Sequence, residues 1–236
     1  MPIKKIIKRL VYGPFGTGLH FSQSGEDLNI LAIATSFIKI NKGFYVDVGA
    51  FHPHIGSNTE LLYRNGWRGI NIDPRPGSSR LFDEYRSQDI NLEVGVGATE
   101  GRLNYYYIGE DSALNSFSKE TIEQNGALDQ ITKVIELPIV PLSVLLDKHL
   151  PAGKAPDLIN IDTEGYEIEV LTSLDFSRHR PKIIAIEQNN VCTFKQVMES
   201  ETCLFLESRG FVPVGKNIIV EHVSTIIYVD KAFLGK

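Results

Sequence analysis

The sequence predicts an α/β fold: a mostly parallel sheet with helices on both faces, closed at its C-terminal end by an antiparallel hairpin. Three observations carry this. From Gly43 onward, short β-branched or aromatic runs at 44–48, 69–72, 90–94, 158–161 and 183–187 alternate with segments of helical spacing, the signature of successive βαβ units. The runs are apolar almost throughout, as strands buried on both faces are. Two last runs, 211–214 and 224–229, are bridged by Gly215-Lys216-Asn217, which reads as the turn of a terminal hairpin. With 236 residues, 42% of them hydrophobic and 22% charged, the chain supports one large core rather than two full-sized domains.

In chain order, residues 1–42 read as a basic segment and helical extension, and 43–236 as the principal domain. Lys4, Lys5, Lys8 and Arg9 are interleaved with Ile3, Ile6, Ile7, Leu10 and Val11, whereas an export signal separates its basic start from its apolar run. Over residues 1–12 this spacing suits either a short amphipathic helix in weak contact with anionic lipid or a solvated basic turn packed on the domain. Glu26 and Asp27 suit the first turn of a helix continuing through Leu28, Leu31 and Ala34. After the third run, residues 103–108 with Tyr105, Tyr106 and Tyr107 add a strand. The polar stretch 109–133 that follows reads as an insertion or lid, a common place for acceptor recognition.

Composition excludes two classes of partner. Twenty-four Lys and Arg against 29 Asp and Glu give a net charge of -5, with no basic excess for a nucleic-acid backbone. No run approaches the roughly 20 apolar residues that span a bilayer. Cys192 and Cys203 fall in one predicted helix, separated by roughly 16 Å of rise. That is beyond disulfide reach and favours a reducing, cytoplasmic setting.

Ligands of open parallel sheets bind beyond the carboxyl ends of the strands. The first strand leads into Asp47-Val48-Gly49-Ala50, where Gly49 allows close backbone approach beside a carboxylate. Gly56 then eases entry to a helix opened at Ser57 by a capping box with Glu60. The second strand ends in Asp73-Pro74, some twenty residues past the glycine, where nucleotide-binding folds place a ribose-binding acid. Both features also read simply as turns. A dinucleotide site needs Gly-x-Gly-x-x-Gly, and here no glycine lies between Gly49 and Gly56. Carboxylates without a pyrophosphate cradle suit a phosphate-free, cationic ligand such as S-adenosylmethionine. Gly95 and Val96 are small enough to leave room for adenine, or form a plain glycine turn. Asp162 and Glu164 follow the fourth run, where acids also serve helix N-termini. Glu187, at the end of the fifth, is placed either to contact substrate or to cap a helix near Thr193.

Together these motifs resemble the FkbM family of S-adenosylmethionine-dependent methyltransferases. The likeness runs from about Phe21 to Glu187 through Ser22-Gln23-Ser24-Gly25-Glu26-Asp27, Phe44-Tyr45-Val46-Asp47-Val48-Gly49-Ala50, Ser57-Asn58-Thr59, Gly66-Trp67-Arg68-Gly69, Ile72-Asp73-Pro74 and Ile161-Asp162-Thr163-Glu164-Gly165-Tyr166-Glu167. It implies a Rossmann-like class I methyltransferase with a seven-stranded sheet. Asp47, Gly49 and Ala50, with Asn58 and Thr59, would hold the methionine part of S-adenosyl-L-methionine, and Asp73 with Pro74 its ribose. Asp162 would stand near the transferring methyl. Two departures are visible: family members more often carry Glu where Asp73 stands, and His52-Pro53-His54 replaces a typically small, polar loop.

The expected activity is O-methylation of a sugar, glycan precursor or related small molecule, as in polysaccharide biosynthesis. Asp162 ranks first as proton acceptor, ahead of Glu164 and His54. No residue is assigned to a metal, although acids at adjacent strand tips offer a place for Mg²⁺. The alternatives are a non-catalytic nucleotide-binding module and, disfavoured by the glycine pattern, an NAD-dependent oxidoreductase.

Overall fold

The computed structural model describes residues 19–234, so the basic segment and its expected lipid contact lie outside the described residues. The first element of the described residues is α1 (Glu26–Ala32), continued by a π-helical turn over Ile33–Phe37, then β1 (Phe44–Val48), α2 (Glu60–Arg64), β2 (Arg68–Ile72), α3 (Ser78–Tyr85) and β3 (Ile90–Leu92). There follow β4 (Gly95–Val96), β5 (Gly101–Tyr107), α4 (Lys119–Gln124), β6 (Lys133–Val140) and α5 (Leu142–His149). The chain then forms β7 (Leu158–Ile161), α6 (Glu167–Thr172), β8 (Ile183–Asn189), α7 (Phe194–Glu199), α8 (Glu201–Ser208), β9 (Phe211–Val220) and β10 (Val223–Asp230).

Seven strands form the main sheet in the order β3-β2-β1-β7-β8-β10-β9. The first five are parallel, whereas β10 runs antiparallel to both β8 and β9. The chain winds outward from β1 to β3 and returns on the other side of β1 as β7. Between the tips of β1 and β7 the order therefore reverses, and a crevice opens there.

Both faces of the sheet are buried, which explains runs that are apolar almost throughout. Val46, Val48, Ile159, Ile161, Ile184 and Ile186 point to one face, packed by Leu142, Leu146, Val170, Leu171 and Leu206. Tyr45, Leu158, Ile183, Ala185, Ile227 and Val229 point to the other, against Ile30, Ala34, Leu62 and Trp67. At buried-apolar burial of about 25 cal/mol per Å² these two layers supply the main driving force.

A second sheet, in the order β4-β6-β5, stands apart from the first. It holds the expected tyrosine strand, paired antiparallel to β6 from Gly101↔Ile139 to Tyr107↔Lys133. The stretch 109–133 connects these two strands and carries α4.

Three local expectations need correction. The terminal hairpin is present, but Gly215-Lys216-Asn217 lies inside β9, paired to Thr225, Ile226 and Ile227. The chain turns instead at Glu221 and His222, and a register shift next to Gly215 leaves Val214 outside the ladder while the glycine stays paired. Cys192 and Cys203 do not share a helix: the first precedes α7 and the second lies in α8, with extended backbone at Ser200 between them. Both are free thiols. The capping box at Ser57 is half formed. Ser57 Oγ accepts from the Glu60 N–H at 3.1 Å, but the Glu60 carboxylate turns to His54 and Arg64, and the helix begins only at Glu60. No helix among the described residues is long and apolar enough to cross a membrane.

Candidate active site

The crevice takes its floor from the tips of β1 and β7. Gly49 adopts φ +79°, and a Cβ there would stand 1.6 Å from the Asp162 carbonyl oxygen. Only glycine lets the two strand ends approach this closely. Two non-glycine residues with positive φ, Phe51 (52°) and Glu164 (54°), border the crevice on either side. Such backbone is uncommon and clusters at functional sites.

Two lobes share this floor. One is lined largely by apolar and aromatic side chains. It is lined by Ile72, Val94, Val96, Phe51, Tyr105, Phe117 and Tyr166, together with Asp73, Pro74 and Arg75. Tyr105 and Phe117 lie 4.9 Å apart, and Phe117 and Tyr166 5.9 Å, as inclined aromatic pairs. Asp73 accepts from the backbone N–H groups of Phe51 and Arg75, each at 2.9 Å, one on each carboxylate oxygen, which fixes its carboxylate. Burial raises its pKa and the Arg75 guanidinium opposes that shift. Arg75 also clamps the loop by donating to the carbonyls of Phe51 and Glu110.

The other lobe is wider and polar, lined by Asp47, Ala50, Asn58, Asn160, Gln23, Ser22, His54 and Asp111. Asp47 is 2% exposed and accepts from Thr59 Oγ1 at 2.5 Å and Asn160 Nδ2 at 2.8 Å. Burial raises the Asp47 pKa, opposed chiefly by the charge of Arg86. Asp27 ties down the neighbouring wall by accepting from the Phe21 N–H and Ser22 Oγ.

Asp162, Glu164 and the two-lobe junction coincide, since both residues line both lobes. Carboxylate oxygens of Asp162, Glu164 and Glu187 lie within 4.8 Å of one another. Burial and the Glu167 charge push the Asp162 pKa up to about 7, and burial with the Asp162 and Glu167 charges pushes Glu164 to about 8. Glu187, more deeply buried, is raised well above the carboxylate range by burial and Asp162. These acids therefore share protons near neutrality. The same spacing can hold a divalent cation. Glu167 is committed elsewhere, accepting from Thr163 N–H, Thr163 Oγ1 and Gly165 N–H, each at 3.0 Å.

The expected site residues divide by position. Gly49, Asp73, Pro74, Val96 and Asp162 line the aromatic lobe, and Asp47, Gly49, Ala50, Asn58 and Asp162 the polar one. Thr59 and Gly95 line neither. Thr59 is wholly buried behind Asp47, and Gly95 packs under the Phe117 ring. His54 borders the polar lobe, with Nδ1 3.0 Å from Glu60 and its ring edge-on to Tyr85. His52 caps its own loop, its Nδ1 accepting from the N–H groups of His54 and Ile55. Thr193 and Gln196 cap α7 themselves, so Glu187 has no capping role there. The sequence reading missed Arg75, Arg86, Asn160 and Phe117, none of which stands in a motif with a diagnostic spacing.

A sheet of this strand order, reversed beside a crevice with an aromatic lobe and a carboxylate-rimmed lobe, defines a Rossmann-like class I methyltransferase. The family model described as the methyltransferase FkbM domain matches residues 47–213. The chain belongs to the FkbM methyltransferase family, and its methyl donor is S-adenosyl-L-methionine. No curated protein matches it in sequence. Among solved structures it is similar to a TehB-like SAM-dependent methyltransferase from Corynebacterium glutamicum, with 11% identity, 97% of each chain covered and a TM-score of 0.45. It is also similar to the 1,6-didemethyltoxoflavin-N1-methyltransferase of Burkholderia thailandensis, solved with S-adenosylhomocysteine, with 11% identity, 88% of this chain and 79% of that one covered, and a TM-score of 0.44. A third is the C-terminal domain of precorrin-6Y C5,15-methyltransferase from Rhodobacter capsulatus, with 13% identity, 85% and 88% covered, and a TM-score of 0.40.

Proposed function

We propose that the chain methylates a hydroxyl of a sugar, glycan precursor or related small molecule, with Asp162 as the proton acceptor. The observation that carries this is the position of Asp162 at the junction of the two lobes, with its pKa raised to about 7. An alcohol must lose its proton as it attacks, and a base is most effective when its pKa lies near the working pH. Bound S-adenosyl-L-methionine supplies an electrophilic methyl group on a sulfonium.

The residues present fit that cofactor. The aromatic side chains of one lobe suit a flat base such as adenine, Asp73 in the same lobe would accept the ribose hydroxyls, and Asp47 in the other would offer an anionic partner to the methionine ammonium. Glu164 and Glu187 hold protons beside Asp162, and the strand tips align donor and acceptor. Alignment of this kind is worth up to about 7–11 kcal/mol. The polar lobe also carries Gln23 and His54 as hydrogen-bonding partners for hydroxyls, which supports a polyhydroxylated acceptor.

Transfer of labelled methyl to a panel of sugar nucleotides and lipid-linked glycans tests the reading. Cofactor binding without transfer to any of them would favour a non-catalytic module. The closeness of Asp162, Glu164 and Glu187 favours one second reading, in which they hold Mg²⁺ and the metal lowers the alcohol pKa. Turnover that survives EDTA supports Asp162 as base, and turnover lost to EDTA and restored by Mg²⁺ supports the metal.

A further inference from the structure

We infer that Arg86 and Thr59 form a buried relay that positions Asp47 for the ammonium group of the cofactor. The inference rests on the reading that Asp47 faces the methionine portion. On the face of the sheet carrying Tyr45 and Leu158, the side chains near the strand tips are polar, and they are joined in one network. Thr59 Oγ1 donates to Asp47 Oδ2 at 2.5 Å, and Arg86 Nη2 donates to Thr59 Oγ1 at 2.9 Å. A guanidinium can only donate, so the Thr59 oxygen must accept from it. The single hydroxyl proton of Thr59 is then directed to Asp47.

Arg86 is itself held on every side. It is 0% exposed, and it donates to Tyr45 Oη, to Asp89 Oδ2 at 3.1 Å and to Ser57 Oγ at 3.4 Å. The second Asp47 oxygen is fixed in the same manner: Asn160 Nδ2 donates to it at 2.8 Å, and Asn160 Oδ1 accepts from Asn58 Nδ2 at 3.1 Å. Each carboxylate oxygen thus spends one lone pair on the network and keeps another for the polar lobe. Neither Arg86 nor Thr59 lines a lobe, so both are positioning residues that act through Asp47.

Titration calorimetry with two nucleosides separates positioning from general stability. S-adenosylhomocysteine carries the amino-acid group, whereas 5′-methylthioadenosine retains the nucleoside and sulfur without it. Thr59→Val keeps the side-chain shape and removes the hydroxyl. It should weaken S-adenosylhomocysteine at least tenfold while leaving 5′-methylthioadenosine within about threefold of wild type, and Thr59→Ser should restore the former. Thr59→Ala removes the same hydroxyl with no steric demand and serves if the valine variant does not fold. Equal weakening of both ligands, or no change in either, would overturn the relay. A wild-type chain that binds both nucleosides equally would overturn the reading of Asp47 itself. Selective loss in Asp47→Asn with none in Thr59→Val or Thr59→Ala would overturn the relay alone.

Discussion

In the proposed reaction Asp162 and Asp73 have different roles, and their surroundings differ accordingly. Asp73 is held by two backbone N–H groups and the Arg75 charge, so it remains a fixed acceptor. Removing it in Asp73→Ala should weaken S-adenosylhomocysteine by about 10- to 100-fold, the roughly 1.5–3 kcal/mol of hydrogen bonds to a charged group, read by calorimetry. Asp162 has no comparable set of donors and lies among other acids, so its proton is labile near neutrality. With a pKa of about 7 it accepts a proton only when ionised, so kcat should fall as pH drops through 7. Asp162→Asn should lower kcat by about 10²- to 10⁴-fold with KM little changed, and should abolish that acidic limb. An unchanged kcat would reject it as the base.

At the scale of elements, the loop from Asp162 to Gly165 is held between the sheet and the inserted segment. Gly165 has φ +97°, and a Cβ there would come within 1.9 Å of Thr121 Oγ1 on α4, while Ser116 Oγ donates to the Glu164 carbonyl at 2.8 Å. Gly165→Ala should separate α4 from this loop, and hydrogen exchange over 109–133 should rise while the central strands stay protected. Gly49→Ala meets backbone rather than a movable side chain, so it should cost more stability than the usual Gly-to-Ala change and abolish cofactor binding.

What the sequence made legible divides along the same physical line. β1, β7 and β8 were readable because double burial makes them apolar on both faces, apart from Asp47, Asn160 and the polar end of β8 at Glu187, Gln188 and Asn189. β6 was not, because Lys133–Val140 is largely exposed and alternates, and it follows a polar stretch. The acids that line the crevice, Asp47, Asp73, Asp162 and Glu164, were readable from their places at or just after strand tips. Arg86 gave no signal, because a lone arginine at the end of the polar helix α3 looks solvated until the fold buries it against Tyr45 and Asp89.

For the whole molecule, the raised acids link folding to pH. Asp162 and Glu164 titrate at about 7 and 8 when folded, above their ordinary values of 3.8 and 4.5, so the folded state binds more protons across that window. Their contribution to stability therefore declines as pH rises from about 4 to 8. Glu164→Gln should flatten this decline and raise Tm at pH 8 by about 2–4 °C for each kcal/mol relieved, as thermal unfolding would show. S-adenosylhomocysteine at about 100 times its Kd should add roughly 2.7 kcal/mol to the folded state.

A crystal structure of the chain with S-adenosylhomocysteine tests the central claim most directly. The adenine should lie against Tyr105 and Phe117, the ribose hydroxyls within hydrogen-bonding distance of Asp73, and the amino group on Asp47, with the sulfur facing Asp162. A nucleoside bound outside the crevice, or one whose ribose and amino group touch neither aspartate, would contradict it.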